Sequence, residues 1–254
     1  MNLKVLLALA ALAAGAAATV ADAATNLVVN GDFSQGATGF TSDYKYVAPT
    51  SGSMMPETVY TVTSDPKSVH PYWIQIAGDK PLLLVNGATT SGMTVWQENI
   101  TTVAGQSYDF SASAANVCCN SAHRGDYAPS ELEFEVSSNG FATFQTLGTI
   151  TTHPTGDAGQ FYTVTDTFKA TGPLQIRIVD ALTGRVGNDF AVSDVSVTAA
   201  PGSGPIPHQP GPGQTAPSQV AAVPEPATWA FMIVGLGGLG AVMRTRRGRT
   251  LATA

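Results

Sequence analysis

The sequence predicts an all-β body folded as a β-sandwich, followed by a disordered Pro/Gly linker and one C-terminal transmembrane helix. Three observations predict it. Residues 26–198 carry short β-branched and aromatic runs separated by Gly, Asn, Asp, Ser and Pro, the spacing of sandwich strands and turns. No stretch of that region sustains apolar 3.6-residue periodicity over three turns, so almost no helix is expected there. Near the C-terminus, residues 227–243 form an uncharged apolar run followed at once by four arginines, as in a membrane span with a cytoplasmic end.

The chain begins with a targeting segment. Lys4 is a minimal positive region, residues 5–20 are an uncharged run of Ala, Leu, Val, Gly and Thr, and Ala21-Asp22-Ala23 offers small residues at the positions a signal peptidase reads. Residues 1–23 are therefore expected to be a secretory signal peptide, cut after Ala23. A buried N-terminal helix would show a polar face, and this run shows none.

Residues 24–198 form the expected sandwich domain. Its plainest strand is 131–136, where Glu131, Glu133 and Glu135 alternate with Leu132, Phe134 and Val136, so one face is buried and the other wet. Further strands are expected at 27–29, 58–62, 73–76, 82–85, 94–100, 107–114, 144–150, 162–168, 174–179 and 190–198.

Residues 199–223 hold six prolines and no Lys, Arg, Asp or Glu. Pro removes backbone donors and Gly adds freedom, which predicts a disordered stalk. Residues 224–254 then bring Pro224-Glu225-Pro226, the apolar run with Trp229 near its start, and Arg244, Arg246, Arg247 and Arg249. At about 1.5 Å per residue the run is a little short of a roughly 30 Å hydrocarbon core. This order of parts resembles the PEP-CTERM sorting signal of Gram-negative bacteria. The resemblance implies passage through the inner membrane and processing by the membrane protease exosortase. It also implies a destination at the cell envelope, cell surface or extracellular matrix, in association with exopolysaccharide and biofilm. An ordinary membrane anchor shares the helix and the arginines but leaves Pro-Glu-Pro unexplained.

Charge narrows the partners. The chain of 254 residues carries Lys+Arg 12 against Asp+Glu 18, a net −6. Loss of residues 1–23 and of the arginine tail leaves seven bases against seventeen acids, a net near −10. Such a body repels anionic surfaces. Nucleic acid is not an expected partner, because phosphate binding needs Lys and Arg; neutral glycans suit it better.

A second resemblance covers the body. Residues 26–33 (NLVVNGDF), 84–88 (LVNGA), 95–98 (VWQE), 104–111 (AGQSYDFS) and 187–197 (GNDFAVSDVSV) stand in order. They resemble the strands of carbohydrate-binding-module-like, or galactose-binding-like, jelly rolls. The resemblance implies a jelly-roll β-sandwich whose first and last strands lie together, and a possible structural calcium held by Asp32, Asp189 and Asp194. Ser34 stands where a carboxylate commonly follows the opening Phe, which weakens the set, since calcium takes six to eight oxygens. In the closing strand Phe190 and Val192 share one face while Val195 and Val197 fall on the other. That parity change predicts a bulge at Ser193-Asp194, turning Asp194 toward the Asn30–Asp32 turn. Leu27, Val29 and Phe33 are expected to pack beside this strand.

Catalytic motifs are missing. There is no His-Glu-x-x-His, no Gly-x-Ser-x-Gly and no phosphate-cradling glycine loop. Glu131, Glu133 and Glu135 on one wet strand face read as solvation rather than as glycosidase acids, which stand across a cleft. Cys118-Cys119 fits either a vicinal disulfide or free or intermolecular thiols. With His123 the pair falls short of four zinc ligands. Among Tyr44, Tyr46, Tyr72, Trp73, Trp96 and Tyr127, Trp96 is expected in the core. Tyr72, Trp73 and Tyr127 are the expected ligand platform, because flat rings stack on C–H-rich sugar faces. The expectation is a non-enzymatic, exported envelope or matrix protein that binds extracellular polysaccharide. A polysaccharide hydrolase and a purely structural matrix protein are the alternatives.

Overall fold

The computed structural model describes residues 25–120, 128–153, 157–182 and 187–203. The signal peptide, Tyr127, His123, most of the linker and the whole sorting tail lie outside them. Among these residues ten strands build two sheets. They are β1 (Lys45–Tyr46), β2 (Val59–Thr63), β3 (Leu82–Asn86), β4 (Met93–Ile100), β5 (Ser107–Asn116), β6 (Ser130–Ser137), β7 (Gln145–Thr152), β8 (Tyr162–Lys169), β9 (Leu174–Asp180) and β10 (Phe190–Ala199). The larger sheet has the order β1-β2-β3-β10-β5-β8 and the smaller β4-β9-β6-β7. The chain thus crosses from sheet to sheet at almost every connection after β3, and the sandwich closes on a shared core. Among the described residues the helix content is one turn, α1 (Pro66–Val69), and no helix is long and apolar enough to cross a membrane.

Alternation places the core. Trp96 and Ile100 of β4, Phe110, Ala112 and Ala114 of β5, Leu132 and Phe134 of β6, and Ile176 and Ile178 of β9 meet between the sheets. A second cluster lies on the outer side of β2, β3 and β10. There the 64–81 connection folds back and buries Trp73, Val69, Ile76, Leu84 and Ala191.

The opening segment departs from the expected strand. Residues 27–29 form no ladder, although Leu27 N–H donates to the Val197 carbonyl at 2.8 Å. The Asn26 side chain takes over the pairing: its Oδ1 accepts from Val28 and Val197 N–H, and its Nδ2 donates to the Val195 carbonyl. Asn30 (φ 57°) and Phe33 (φ 56°) then bend the chain in left-handed conformations. As a result Leu27, Val28 and Phe33 are buried and Val29 is only half-buried, not the Leu27/Val29 face that alternation predicts. The first and last segments do lie together. Gly31 sits so close to the Val195 carbonyl that a Cβ there would overlap it.

The bulge stands where parity places it. β10 pairs with β5 at Ser193↔Ser113 and resumes at Ser196↔Ser111, with Asp194 at φ 52°. The group that meets the Asn30–Asp32 turn, however, is the Val195 N–H, donating to the Gly31 carbonyl at 2.9 Å. The Asp194 carboxylate faces outward, 3.8 Å from Lys80 Nζ. Residues 73–76 also fail to form a strand: only Trp73 makes a bridge, to Cys118. Cys118 and Cys119 are joined as a vicinal disulfide. β10 runs through Ala199, and Ser203 Oγ donates to the Ser107 carbonyl, so regular structure enters the first residues of the expected linker.

The outer face of β10, β5 and β8 has an unusual composition. Register aligns three rows across it: Ser193–Ser113–Thr163, Ser196–Ser111–Thr165 and Thr198–Asp109–Thr167. Eight of these nine positions carry a short hydroxyl.

Candidate functional site

The outer face of the four-stranded sheet collects the polar groups that alternation turns away from the core. Gln97 lies opposite Arg177, Arg177 opposite Glu135, and Glu135 opposite Thr146. A second row is Asn99–Gln175–Ser137, and a third Thr94–Val179–Glu133–Thr149. The sheet is widened at β4 by Thr41, whose N–H and carbonyl exchange 2.9 Å bonds with Gln97. Beside the second row a hollow of about 310 Å³ opens between Asn99, Thr101, Ser138, Pro173 and Gln175.

Arg177 is the centre of this face. Its Nε–H donates to Glu135 Oε2 at 2.6 Å, and Glu135 is 2% exposed, so the pair is shielded and rigid. Its guanidinium carbon lies 4.0 Å from the Phe141 ring centroid and 5.9 Å from that of Phe144, which adds a cation–π contact. Phe141 reaches over the sheet because it sits at φ 61°, a conformation that costs a bulky residue energy. The turn is held by Ser137 Oγ, which accepts from Phe141 N–H at 2.9 Å and donates to the Thr143 carbonyl at 2.7 Å. Phe144 keeps about half of its surface open, at 52%. The face therefore offers planar donors and acceptors (Gln97, Gln175, Arg177, Glu133) with an aromatic rim, the combination that suits a polyhydroxylated ligand of low charge.

Of the sequence-predicted platform, the described residues Tyr72 and Trp73 present no shared ring face. Trp73 is fully buried. Its Nε1–H donates to Asp189 Oδ2 at 2.9 Å, and its ring stacks on His70 at 4.7 Å. It offers no face to a ligand. Burial pushes the His70 imidazole down to about 4, so it stays neutral. Tyr72 is exposed and packs edge-on against His70, and Tyr127 lies outside the described residues. Tyr46 is exposed, Tyr44 is buried with its hydroxyl on Asp180, and Trp96 fills the core as expected.

The calcium trio is divided: Asp32 and Asp194 line one cavity, and Asp189 does not join them. Asp189 is engaged by Trp73 in the interior, and Asp32 Oδ1 accepts from Ser34 N–H and Oγ–H. Asp194 pairs with Lys80. Among the described residues no three His, Cys, Asp or Glu side chains are grouped to hold a metal ion. These carboxylates do not fit the expected ion.

The acids with raised pKa are interior. Burial raises Glu98 to about 7, although Val29 N–H donates to its Oε1 at 2.8 Å. Burial raises Asp189 to about 6. Asp180 is raised by burial too, against the lowering effect of the Tyr44 hydroxyl at 2.7 Å.

Residues 222–247 match the PEP-CTERM protein-sorting motif, so the chain carries the sorting signal of exosortase-handled exported proteins. No curated protein matches the chain. Several solved structures are similar. One is the tandem CBM22-1–CBM22-2 domain of Paenibacillus barcinonensis Xyn10C, at 14% identity over 82% of this chain and 51% of that one, TM-score 0.45. Another is TmCBM61 in complex with β-1,4-galactotriose, at 13% identity over 69% and 99%, TM-score 0.42. A third is a CBM4 structure, at 13% identity over 68% and 99%, TM-score 0.42.

Proposed function

We propose that this chain is an exported, non-catalytic envelope or matrix protein whose sandwich holds a neutral extracellular glycan on the outer face of the four-stranded sheet. The observation that carries the reading is Arg177, fixed between Glu135 and Phe141 beside the amide side chains of Gln97, Asn99 and Gln175, with Phe144 open at the rim. A sugar chain laid there meets planar hydrogen-bonding groups from below and a ring from the side. A non-enzymatic role is supported by the placement of the perturbed acids: Glu98, Asp180 and Asp189 are buried and hydrogen-bonded within the fold, not set across a cleft. In this reading residues 1–23 serve as the signal peptide, 24–198 as the binding body, 199–223 as the spacer and 224–254 as the sorting tail, and the body works with exopolysaccharide or biofilm material.

Two measurements test this. Calorimetry of the full-length chain against a panel of neutral oligosaccharides should find a binder. Phe144→Ala should weaken binding by about tenfold with little change in melting temperature, because the ring is largely exposed. Arg177→Ala should abolish it, with some loss of stability from unpaired Glu135. Calorimetric silence from a folded protein across the panel would leave the purely structural role. For the tail, intact mass of the exported protein should lack residues 244–254; finding them on the mature surface form would overturn exosortase handling.

A further inference from the structure

The opposite sheet carries a surface that the neutral-glycan reading leaves unused. Long side chains project from the Arg177 face, whereas the three rows on β10, β5 and β8 end almost everywhere in short hydroxyls, and the first long side chain is Lys169 in the next row. Columns lie about 4.8 Å apart and alternate residues along a strand about 6.7 Å apart. Ser113 Oγ and Thr163 Oγ1 share a 2.7 Å hydrogen bond, and Thr167 Oγ1–H donates to Asp109 Oδ1 at 2.7 Å. The grid is thus both regular and pinned.

At the Ser193–Ser113 end the connection at 76–81 rises as a wall and encloses a cavity of about 350 Å³. Ser193, nine-tenths buried, and Ser113 belong to both grid and cavity. Ile76, Leu82 and Phe161 supply apolar lining, and Asp32, Asp79 and Asp194 bring acid to the rim against the single base Lys80. Hydrogen bonds from Ser34 hold the Asp32 carboxyl below its usual range, so it is charged at any mild pH. Lys80 pairs with Asp194 at 3.8 Å and also helps to hold the Asp32 carboxyl charged, one base among three acids. The surface therefore combines three features: hydroxyls that both donate and accept, an apolar wall, and excess negative charge.

We propose that this cavity and the hydroxyl grid beside it bind an amino-sugar polysaccharide bearing free amines. Ring hydroxyls match the grid, the C–H faces of the sugar match Ile76 and Phe161, and the ammonium groups match Asp79, Asp32 and Asp109. A neutral chain leaves the acids in excess of the one base, Lys80, and an anionic one is repelled by them. The site lies on the opposite sheet from Arg177, so one body would tie two different polysaccharide chains together.

The test is calorimetry of the full-length chain at mildly acidic pH and low salt, with a glucosamine hexamer as probe and the N-acetylglucosamine hexamer as control. The glucosamine hexamer should bind at least about tenfold tighter than the control, and rising salt should weaken it. The double variant Asp79→Asn with Asp194→Asn should lose about tenfold in affinity at unchanged melting temperature, since both residues are exposed and Asn accepts the left-handed conformation of position 194. Thr165→Val, which removes one exposed hydroxyl at constant shape, should weaken binding while leaving the fold intact. Arg177→Ala should leave glucosamine binding unaltered, which separates this site from the neutral-glycan face. No binding of the glucosamine hexamer, equal affinity for the acetylated control, or full affinity in the Asp variant would overturn the proposal.

Discussion

Raising the pH from about 5 to about 8 should lower the melting temperature of the sandwich, because buried carboxyls lose protons that the fold prefers to keep. Glu98 is 7% exposed, faces the interior from β4 and has one oxygen, Oε2, with no hydrogen-bond partner. Burial lifts its folded-state pKa to about 7, while the unfolded chain titrates near 4.3. The folded state therefore binds more protons between those values. Its stabilising contribution is complete below about pH 4 and is lost as pH rises through about 7. For Glu98 alone the loss is on the order of 3 kcal/mol. Asp189, raised to about 6 by burial, acts in the same direction over a slightly lower window, as does Asp180. Glu98→Gln keeps an acceptor for Val29 N–H and removes the buried charge. The variant should gain about 1–2 kcal/mol at pH 8 and flatten the melting curve against pH. A melting temperature that rises with pH, or an unaltered slope in the variant, would show that Glu98 titrates as a solvated acid.

The second large effect is expected at Trp73. The ring is fully buried among Val69, Ile76 and Leu84 and its indole N–H meets the Asp189 carboxylate. Trp73→Ala leaves a cavity and takes one hydrogen bond from a buried acid, a loss of about 3–5 kcal/mol. That is a large part of the roughly 5–15 kcal/mol that holds a domain together. Trp73→Phe keeps most of the ring but takes the indole N–H from Asp189 and leaves it the Gly87 N–H, at about 1–3 kcal/mol. It should also push the Asp189 carboxyl further up and steepen the pH dependence. Urea unfolding of both variants checks the order. A Trp73→Ala protein as stable as its parent would mean that the ring lies at the surface.

Strands β2 to β10 were legible, whereas β1 was not expected and the expected strand at 73–76 does not form. The expected strand at 131–136 is β6 within a residue at each end, because strict alternation of Glu with Leu, Phe and Val has one reading in a half-buried sheet. The bulge at Ser193–Asp194 was legible for the same reason: period two makes a parity change visible. The opening segment was not, because Asn26 replaces ladder bonds with its side chain and leaves no periodic trace.

The two faces mark the division most clearly. Gln97 and Asn99 flank the polar but buried Glu98 and are placed by Trp96 and Ile100 on either side, whereas Gln175 and Arg177 alternate with Ile176 and Ile178, so sequence alone determined that they point away from a core. The same holds for Ser111, Ser113, Thr163, Thr165 and Thr167. The sorting tail also needs no fold to be read, since its parts are contiguous: Pro224-Glu225-Pro226, an apolar run and the arginines. Only the tertiary structure decided that β9 lies between β4 and β6, which sets Arg177 between Gln97 and Glu135. It also decided that β10 lies beside β5, which aligns the hydroxyl rows. Strand pairing joins residues some 40 to 80 positions apart, and nothing local encodes a partner at that distance. Trp73 shows the converse: beside His70-Pro71-Tyr72 it has the surroundings of a loop. It is buried because the 64–81 connection folds back over β3 and β10 and finds apolar cover there, a fact set by packing and invisible to any window of the chain.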